Sequence, residues 1–426
     1  MPPPEGMAET RLPTVVPATE PAGPAPLMRN RDYLLLAGGQ VVSTLGTTIS
    51  GIAVPLLILA LTGSPAAAGI AGGLSTLPYL VFSLPAGALV DRWDRKRVMV
   101  LCDVIRAINA ASIPLALVLN VLTIWQLYLV VLIEGTLFVF FNIAEVAALP
   151  QVVAKSQLPA ASAQNQGTFA TANLIGPALG GFLYQSIGRA VPFVFDAVSY
   201  AISAAALWGI RTHFQEVREA APRNLRGEIR EGVVWLWHQP LLRIMALVTG
   251  LFNFTTAGLG LFIIVAARAQ GADEASIGLI FSLGAVGGLA GSALASRLQK
   301  RLRFGHVVIG SLWITALIVP AYALIPPLLI LGVLSGVFFF VAPIWSVVMI
   351  SYRLPLIPDA LQGRVNSAFR LMAFAFIPAG SALSGVLIEQ IGVGPSALFF
   401  GVLLALLALA VSFSSTVRNA PRPADL

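Results

Sequence analysis

The chain has 426 residues, of which 57% are hydrophobic and 11% charged, with a mean hydropathy of +0.85. That is less than half the charge of an ordinary soluble domain, which excludes a water-soluble globule. Lys and Arg outnumber Asp and Glu by 26 to 19, yet the sequence between them is oily, which argues against a nucleic-acid partner; one cysteine (Cys102) and three histidines (His213, His238, His306) leave no disulfide framework and no clustered metal site.

Residues 1–28 hold eight prolines and no apolar run, and they predict a disordered tail, neither signal peptide nor membrane span. A hydrocarbon core about 30 Å thick takes about 20 apolar residues in a helix rising about 1.5 Å each. Twelve runs qualify: 33–62, 67–90, 98–120, 124–148, 163–184, 191–210, 241–267, 275–296, 305–324, 327–350, 366–388 and 395–415. The charged stretch 211–240 separates an N-terminal bundle (29–210) from a C-terminal one (241–415), and residues 416–426 form a second tail. Within that linker, Leu225 to His238 mixes apolar and charged positions and predicts an amphipathic helix at the membrane surface. With the N-terminus inside, Arg189 and Arg268 are the basic residues left outside, so both termini are expected to be cytoplasmic in a plasma-membrane protein. Contact with anionic lipid and topology then explain the basic balance, with no nucleic acid.

The halves echo each other at an offset near 204 to 209. Gly180-Gly-Phe-Leu-Tyr-Gln-Ser-Ile-Gly188 answers Ser384-Gly-Val-Leu-Ile-Glu-Gln-Ile-Gly392, and Gln40, Thr44, Thr47, Gly51 in span 1 answer Thr249, Asn253, Thr256, Gly260 in span 7. Two six-helix bundles in parallel duplication are implied, the pattern of a transporter whose halves rock about a midplane site.

The string Gly87-Ala-Leu-Val-Asp91-Arg92-Trp-Asp94-Arg95-Lys96-Arg97 is similar to the loop between helices 2 and 3 of the major facilitator superfamily, Gly-x-Leu-x-Asp-Arg-x-Gly-Arg-Lys, with Asp94 in place of the second glycine. Asn30 to Gln40, Leu61-Thr-Gly-Ser-Pro65 and Ala148-Leu-Pro-Gln-Val-Val153 resemble the branch that includes macrolide efflux and enterobactin export proteins. The resemblance implies an all-α integral membrane protein of twelve transmembrane helices, two six-helix bundles related by a pseudo-twofold axis. It also implies a cavity wall built by helices 1, 4, 7 and 10, and a cytoplasmic gate in which Asp91 caps the start of span 11 near Arg364 to Asn366. Arg95 joins Asp91 in that gate; Arg92 has a topological reason to be basic, and Asp103 with Arg106 reads as a local ion pair beside it. Gly176, Pro177, Gly180 and Gly181 look like the latter part of an antiporter motif. Physically they offer either a bend or close helix packing, and the sequence favours neither.

Glu134 lies roughly 15 Å inside span 4, where an ionised acid costs several kcal/mol unless hydrated or paired. With no Lys or Arg placed at comparable depth, Glu134 is expected to load and release a proton. Phe138, Phe141 and Glu145 continue its stripe, with Asn142 at the edge. Glu145, a weaker proton candidate, is expected to pair with Arg95 or Arg106, and Asp196 reads as a solvated acid or a second proton group. Gln40, Thr44, Thr47, Thr249, Asn253, Thr256, Phe338 and Trp345 are the remaining candidates for the cavity. Helix-helix hydrogen bonding is the alternative for the threonines.

The expected function is proton-coupled export of a small hydrophobic or amphipathic compound, a drug or siderophore-like metabolite, by a monomer without a cofactor. No phosphate-binding glycine loop is present to couple ATP. Proton-coupled import is the same-class alternative. A membrane enzyme lacks a nucleophile constellation, and a receptor lacks an outer domain.

Overall fold

The computed structural model describes residues 26–90, 92–215, 225–358 and 361–420; the N-terminal tail to residue 25 and Asp91 lie outside the described residues. Among these, every expected span is helical and no strand occurs. Six helices form the first half: α1 (Arg31–Thr62), α2 (Pro65–Val90), α3 (Arg95–Val118), α4 (Ile124–Val152), α5 (Leu158–Ser186) and α6 (Val191–Gly209). The linker helix α7 (Leu225–His238) leads to α8 (Pro240–Thr256), α9 (Leu259–Ala269), α10 (Glu274–Arg301), α11 (Phe304–Ala321), α12 (Leu328–Arg353), α13 (Gln362–Phe374), α14 (Ile377–Ile391), α15 (Val393–Phe413) and the short α16 (Ser415–Arg418). Eleven of the spans are long and apolar enough to cross a membrane on length and hydropathy. The twelfth, α5, is equally long but carries Gln164, Asn165, Gln166 and Asn173 along its first half.

Local chemistry sets the ends. The Asn30 side chain accepts the Asp32 and Tyr33 amides to start α1, and Gly63, at φ 66°, ends it in the left-handed region open to glycine. Asp94, the departure from the family string, caps α3 by accepting the Arg97 amide. That gives its carboxylate a local structural task a glycine lacks.

Spans 7 and 11 differ from expectation because each is broken. Pro378 brings no N–H to the Phe374 carbonyl, so the helix stops at Phe374 and restarts as α14. In span 7 the Thr255 and Thr256 hydroxyls take carbonyls of the preceding turn, and the helix resumes after Gly258. Asn253 ties the two breaks together, donating from Nδ2 to the Ala373 carbonyl at 2.8 Å. The corresponding spans of the first half, α1 and α5, run unbroken.

With an even number of crossings, both termini share one side. The extensive contacts between halves, α2 with α14 and α5 with α10, form at the ends of these helices remote from that side. On the terminal side, the start of α13 packs instead on α7, where Arg364 Nη1 meets Glu231 Oε2 at 2.5 Å. Leu236 of α7 is fully buried. One face of the linker helix is therefore docked on protein.

Candidate functional site

A cavity of about 710 Å³ opens within the first half, between α1, α3, α4 and α5. Gln40, Thr44 and Thr47 stand on one wall, Phe138, Phe141, Asn142 and Glu145 on the opposite one, and Arg106 at its floor. It extends past Leu149, Pro150 and Leu158 toward the terminal side. The walls meet closely because α5 lies on α1 through small residues. A Cβ on Gly176 would strike the Thr48 side chain, and one on Gly180 would lie 2.5 Å from the Ile49 carbonyl. Helix α5 continues through Pro177, so Gly176 and Gly180 serve close packing onto α1 here, while Gly181 meets α10 of the other half.

The floor corrects the expectation of a lone acid. Arg106 lies about 16 Å along α3, at a depth comparable to Glu134. Its Nη2 and Nε reach Glu134 Oε1 at 2.5 and 2.7 Å. Its Nη1 is 3.7 Å from Asp103 Oδ1, and the guanidinium lies 4.1 Å from the Tyr200 ring centre. Tyr200 donates to the same Glu134 oxygen at 2.6 Å and shares a 2.7 Å hydrogen bond with Thr47. The Asp103–Arg106 pair thus exists, but it belongs to a buried cluster rather than to a loop gate: Asp103 is 0% and Arg106 4% exposed.

Two more acids are placed differently from expectation. Asp196 is buried, not solvated; Oδ2 accepts from Ser50 at 2.6 Å, while Oδ1 has no hydrogen-bond partner. Glu134 and Arg106 both act on it electrostatically. Glu145 accepts from Asn165 Nδ2 at 3.3 Å, and Arg106 is committed to Glu134 instead of to Glu145. Arg95 donates from Nη1 to the carbonyls of Ala147 and Phe214, tying the start of α3 to α4 and to the chain after α6. Arg92 is exposed.

The second-half candidates stand apart from this cavity. Thr249 and Thr256 bond carbonyls of their own helix, and Asn253 serves the break described above. Trp345 is 5% exposed and stacks on Phe252 at 4.7 Å, which makes it core rather than wall; Phe338 packs edge-on to Phe339. Tyr200 and Ser50, missed from sequence, complete the polar cluster. Both lie on polar stripes at helical spacing, Ser43, Thr47 and Ser50 in α1 and Asp196, Ser199, Tyr200 and Ser203 in α6, and that spacing was the signal the sequence offered.

Comparisons with known proteins return the same membrane-transporter fold. The family model described as transmembrane secretion effector matches residues 22–424. The chain belongs to this family of the major facilitator superfamily. It is 28% identical over 406 residues to the multidrug efflux pump Tap of Mycolicibacterium fortuitum, covering 91% of this chain and 96% of that one. It is 25% identical over 402 residues to macrolide efflux protein A of Streptococcus pyogenes, with the same coverage of 91% and 96%. Among solved structures, the nucleoside transporter NupG (D323A mutant) superimposes with a TM-score of 0.72 at 17% identity, covering 89% of this chain and all of that one. A bacterial homologue of the human lysosomal transporter Spinster, inward-facing and unoccupied, gives 0.72 at 13% identity over 92% and 97%. The chain is thus a multi-pass membrane protein of a transporter superfamily.

Proposed function

We propose that this protein exports small hydrophobic or amphipathic compounds across the plasma membrane in exchange for protons, by alternating access. The observation that carries this reading is the placement of one arginine among Asp103, Glu134 and Asp196 at the floor of a cavity that Phe138, Phe141 and Phe169 help to line. One guanidinium balances one carboxylate, and leaving further ionised acids in a poorly hydrated site costs several kcal/mol each. Protons, or a cationic substrate, supply the missing positive charge. Proton arrival on Glu134 weakens its hold on Arg106 and lets the guanidinium shift toward Asp103. The cavity changes charge as it does so.

Phe138 is 45% exposed to the cavity and offers, with Phe141, flat apolar contact, while Glu145 attracts a cation at the cavity rim. The efflux pumps similar to this chain favour export over import. The basic residues favour placing both termini in the cytoplasm; the conformation described is then inward-facing. The test is a dye-efflux and drug-susceptibility panel in cells lacking their own pumps, with and without collapse of the proton gradient. Glu134→Gln is expected to reach the membrane but lose gradient-driven efflux. Normal coupling in that variant refutes the role of Glu134, and counterflow in sealed vesicles separates export from import.

A further inference from the structure

The two contacts that join the halves at the far side share one design, a side-chain oxygen accepting the amide of the second residue of the opposite helix. Where α5 ends, Gln185 reaches across to the start of α10: its Oε1 accepts the Ala275 amide at 3.0 Å and its Nε2 donates to the capping Asp273 at 3.0 Å. Where α14 ends, Glu389 reaches across to the start of α2: its Oε2 accepts the Ala66 amide at 3.0 Å and the hydroxyl of Ser64, the residue before the helix. Gln185 and Glu389 occupy the same position of the repeated strings, and Ala275 and Ala66 are each the second residue of the helix they cap. Beneath each clasp a glycine of the same repeat, Gly181 or Gly385, lets the two backbones touch. A Cβ on Gly385 would lie 2.8 Å from the Gly69 Cα, and one on Gly181 would be 3.3 Å from the Ala275 Cα. Ser381 adds a 3.0 Å bond to the Gly69 carbonyl at one contact, and the Ala178 amide a 3.2 Å bond to Ser282 at the other.

We infer that Gln185 and Glu389 are the paired positioning residues of the outer gate, each holding a helix N-terminus of the opposite half and together setting how often the cavity opens to the far side. The inference rests on the alternating-access reading. Its physical basis is that a helix start presents unpaired amides, which a side-chain oxygen satisfies. Each clasp spans the halves, so both must break before the halves can separate at this end, and the free amides then turn to water. A hydrogen-bonded clasp of this kind is worth a factor of about five in the open-closed equilibrium, and two independent clasps multiply.

The experiment uses the full chain in a Cys102→Ala background with a Thr44→Cys reporter on the cavity wall, labelled in intact cells by a membrane-impermeant thiol reagent. Gln185→Ala and Glu389→Ala are each expected to raise outside labelling about fivefold, and the double variant roughly 25-fold. Glu389→Gln keeps an accepting oxygen for Ala66 and Ser64 and stays near the parent. Gln185→Glu, which sets a second carboxylate against Asp273, opens the gate at least as far as Gln185→Ala. A double alanine variant labelled within twofold of the parent, or Glu389→Gln as open as Glu389→Ala, overturns the inference. A separate arm joins Ser64→Cys to Glu389→Cys with a short cleavable thiol cross-linker. Loss of transport that reverses on cleavage supports rocking of the halves, and transport that persists while cross-linked overturns that underlying reading rather than the clasp chemistry.

Discussion

Replacing Arg106 by methionine keeps an unbranched apolar side chain and removes the charge, together with the guanidinium's stacking on the Tyr200 ring. Two hydrogen-bonded contacts to Glu134 and the weaker 3.7 Å pairing with Asp103 disappear together. Asp103 is 0% exposed and is left buried without its cation, a loss of about 3–5 kcal/mol for a broken buried pair. The Glu134 side chain is 27% exposed and keeps its bond from Tyr200, so it adds less. Glu134→Gln alone leaves Arg106 beside Asp103 and over Tyr200, and is expected to cost about 1–3 kcal/mol. Because the two partners share contacts, the Arg106→Met/Glu134→Gln double variant is expected to be less destabilised than the sum, by about 1–3 kcal/mol. Adding Asp103→Asn recovers more, since the fully buried Asp103 then no longer carries an unpaired charge. The single cysteine provides the assay: Cys102 is 5% exposed, adjacent to Asp103, and becomes reactive to a fluorogenic thiol dye as the protein unfolds in detergent. A strictly additive double variant, or an Arg106→Met protein within about 0.5 kcal/mol of the parent, would falsify the claim that this arginine neutralises a buried acid cluster.

Asn253→Ala frees the Ala373 carbonyl at the break between α13 and α14, and is expected to lower stability by about 1–2 kcal/mol in the same dye assay; an unchanged midpoint would show that the carbonyl finds water. Gly176→Val drives a side chain into Thr48 and is expected to reduce folded yield sharply, with partial recovery in Gly176→Val/Thr48→Ala, and failure of that recovery would place the clash elsewhere. Asp273 caps α10, and the hydrogen bonds from Ser276 hold its carboxyl below the ordinary 3.8, so its stabilising contribution is present above that value and is lost as pH falls through the lower folded value. The stability gap between the parent and Asp273→Asn is therefore expected to be small, given the exposure of the group, and to close below about pH 4; a gap that widens on acidification contradicts the sign.

Hydropathy made the twelve spans legible, because a bilayer requires about 20 consecutive apolar residues whatever the helices later touch. The polar first half of α5 was still readable because an apolar second half followed it. The breaks in spans 7 and 11 were not, since proline is an ambiguous signal here: Pro55, Pro78, Pro85 and Pro177 lie inside continuous helices, while Pro378 restarts one. What decides is whether a neighbouring group takes up the freed carbonyl, and Asn253 comes from 120 residues away. The stripe from Glu134 to Glu145 followed from helical spacing; Phe138, Phe141, Asn142 and Glu145 line the cavity within the first half, while Glu134 is engaged by Arg106, which lines its floor. The partner of Glu134 did not follow, because the i,i+3 relation of Asp103 and Arg106 offered a complete local explanation for both charges. Starting α3 at Arg95 rather than three residues later also moves Arg106 deeper into the span.

The duplicated halves have diverged in complementary ways. The first half holds the acids and Arg106 on α3, α4 and α6, with hydroxyl partners from α1, all continuous helices, which fixes the charges against one another. The second half carries the two broken spans, with α8 and α13 bridged by a single side-chain bond. A helix stabilised by its full ladder resists bending, whereas a break held by one amide can change angle at the cost of about one hydrogen bond. Compliance therefore lies opposite the charge cluster rather than within it. On this argument Asn253→Ala should alter how easily the second half moves while leaving the pH dependence of transport in place, and Glu134→Gln should do the reverse. If the two variants instead shift the same pH midpoint, charge and compliance are not divided between the halves.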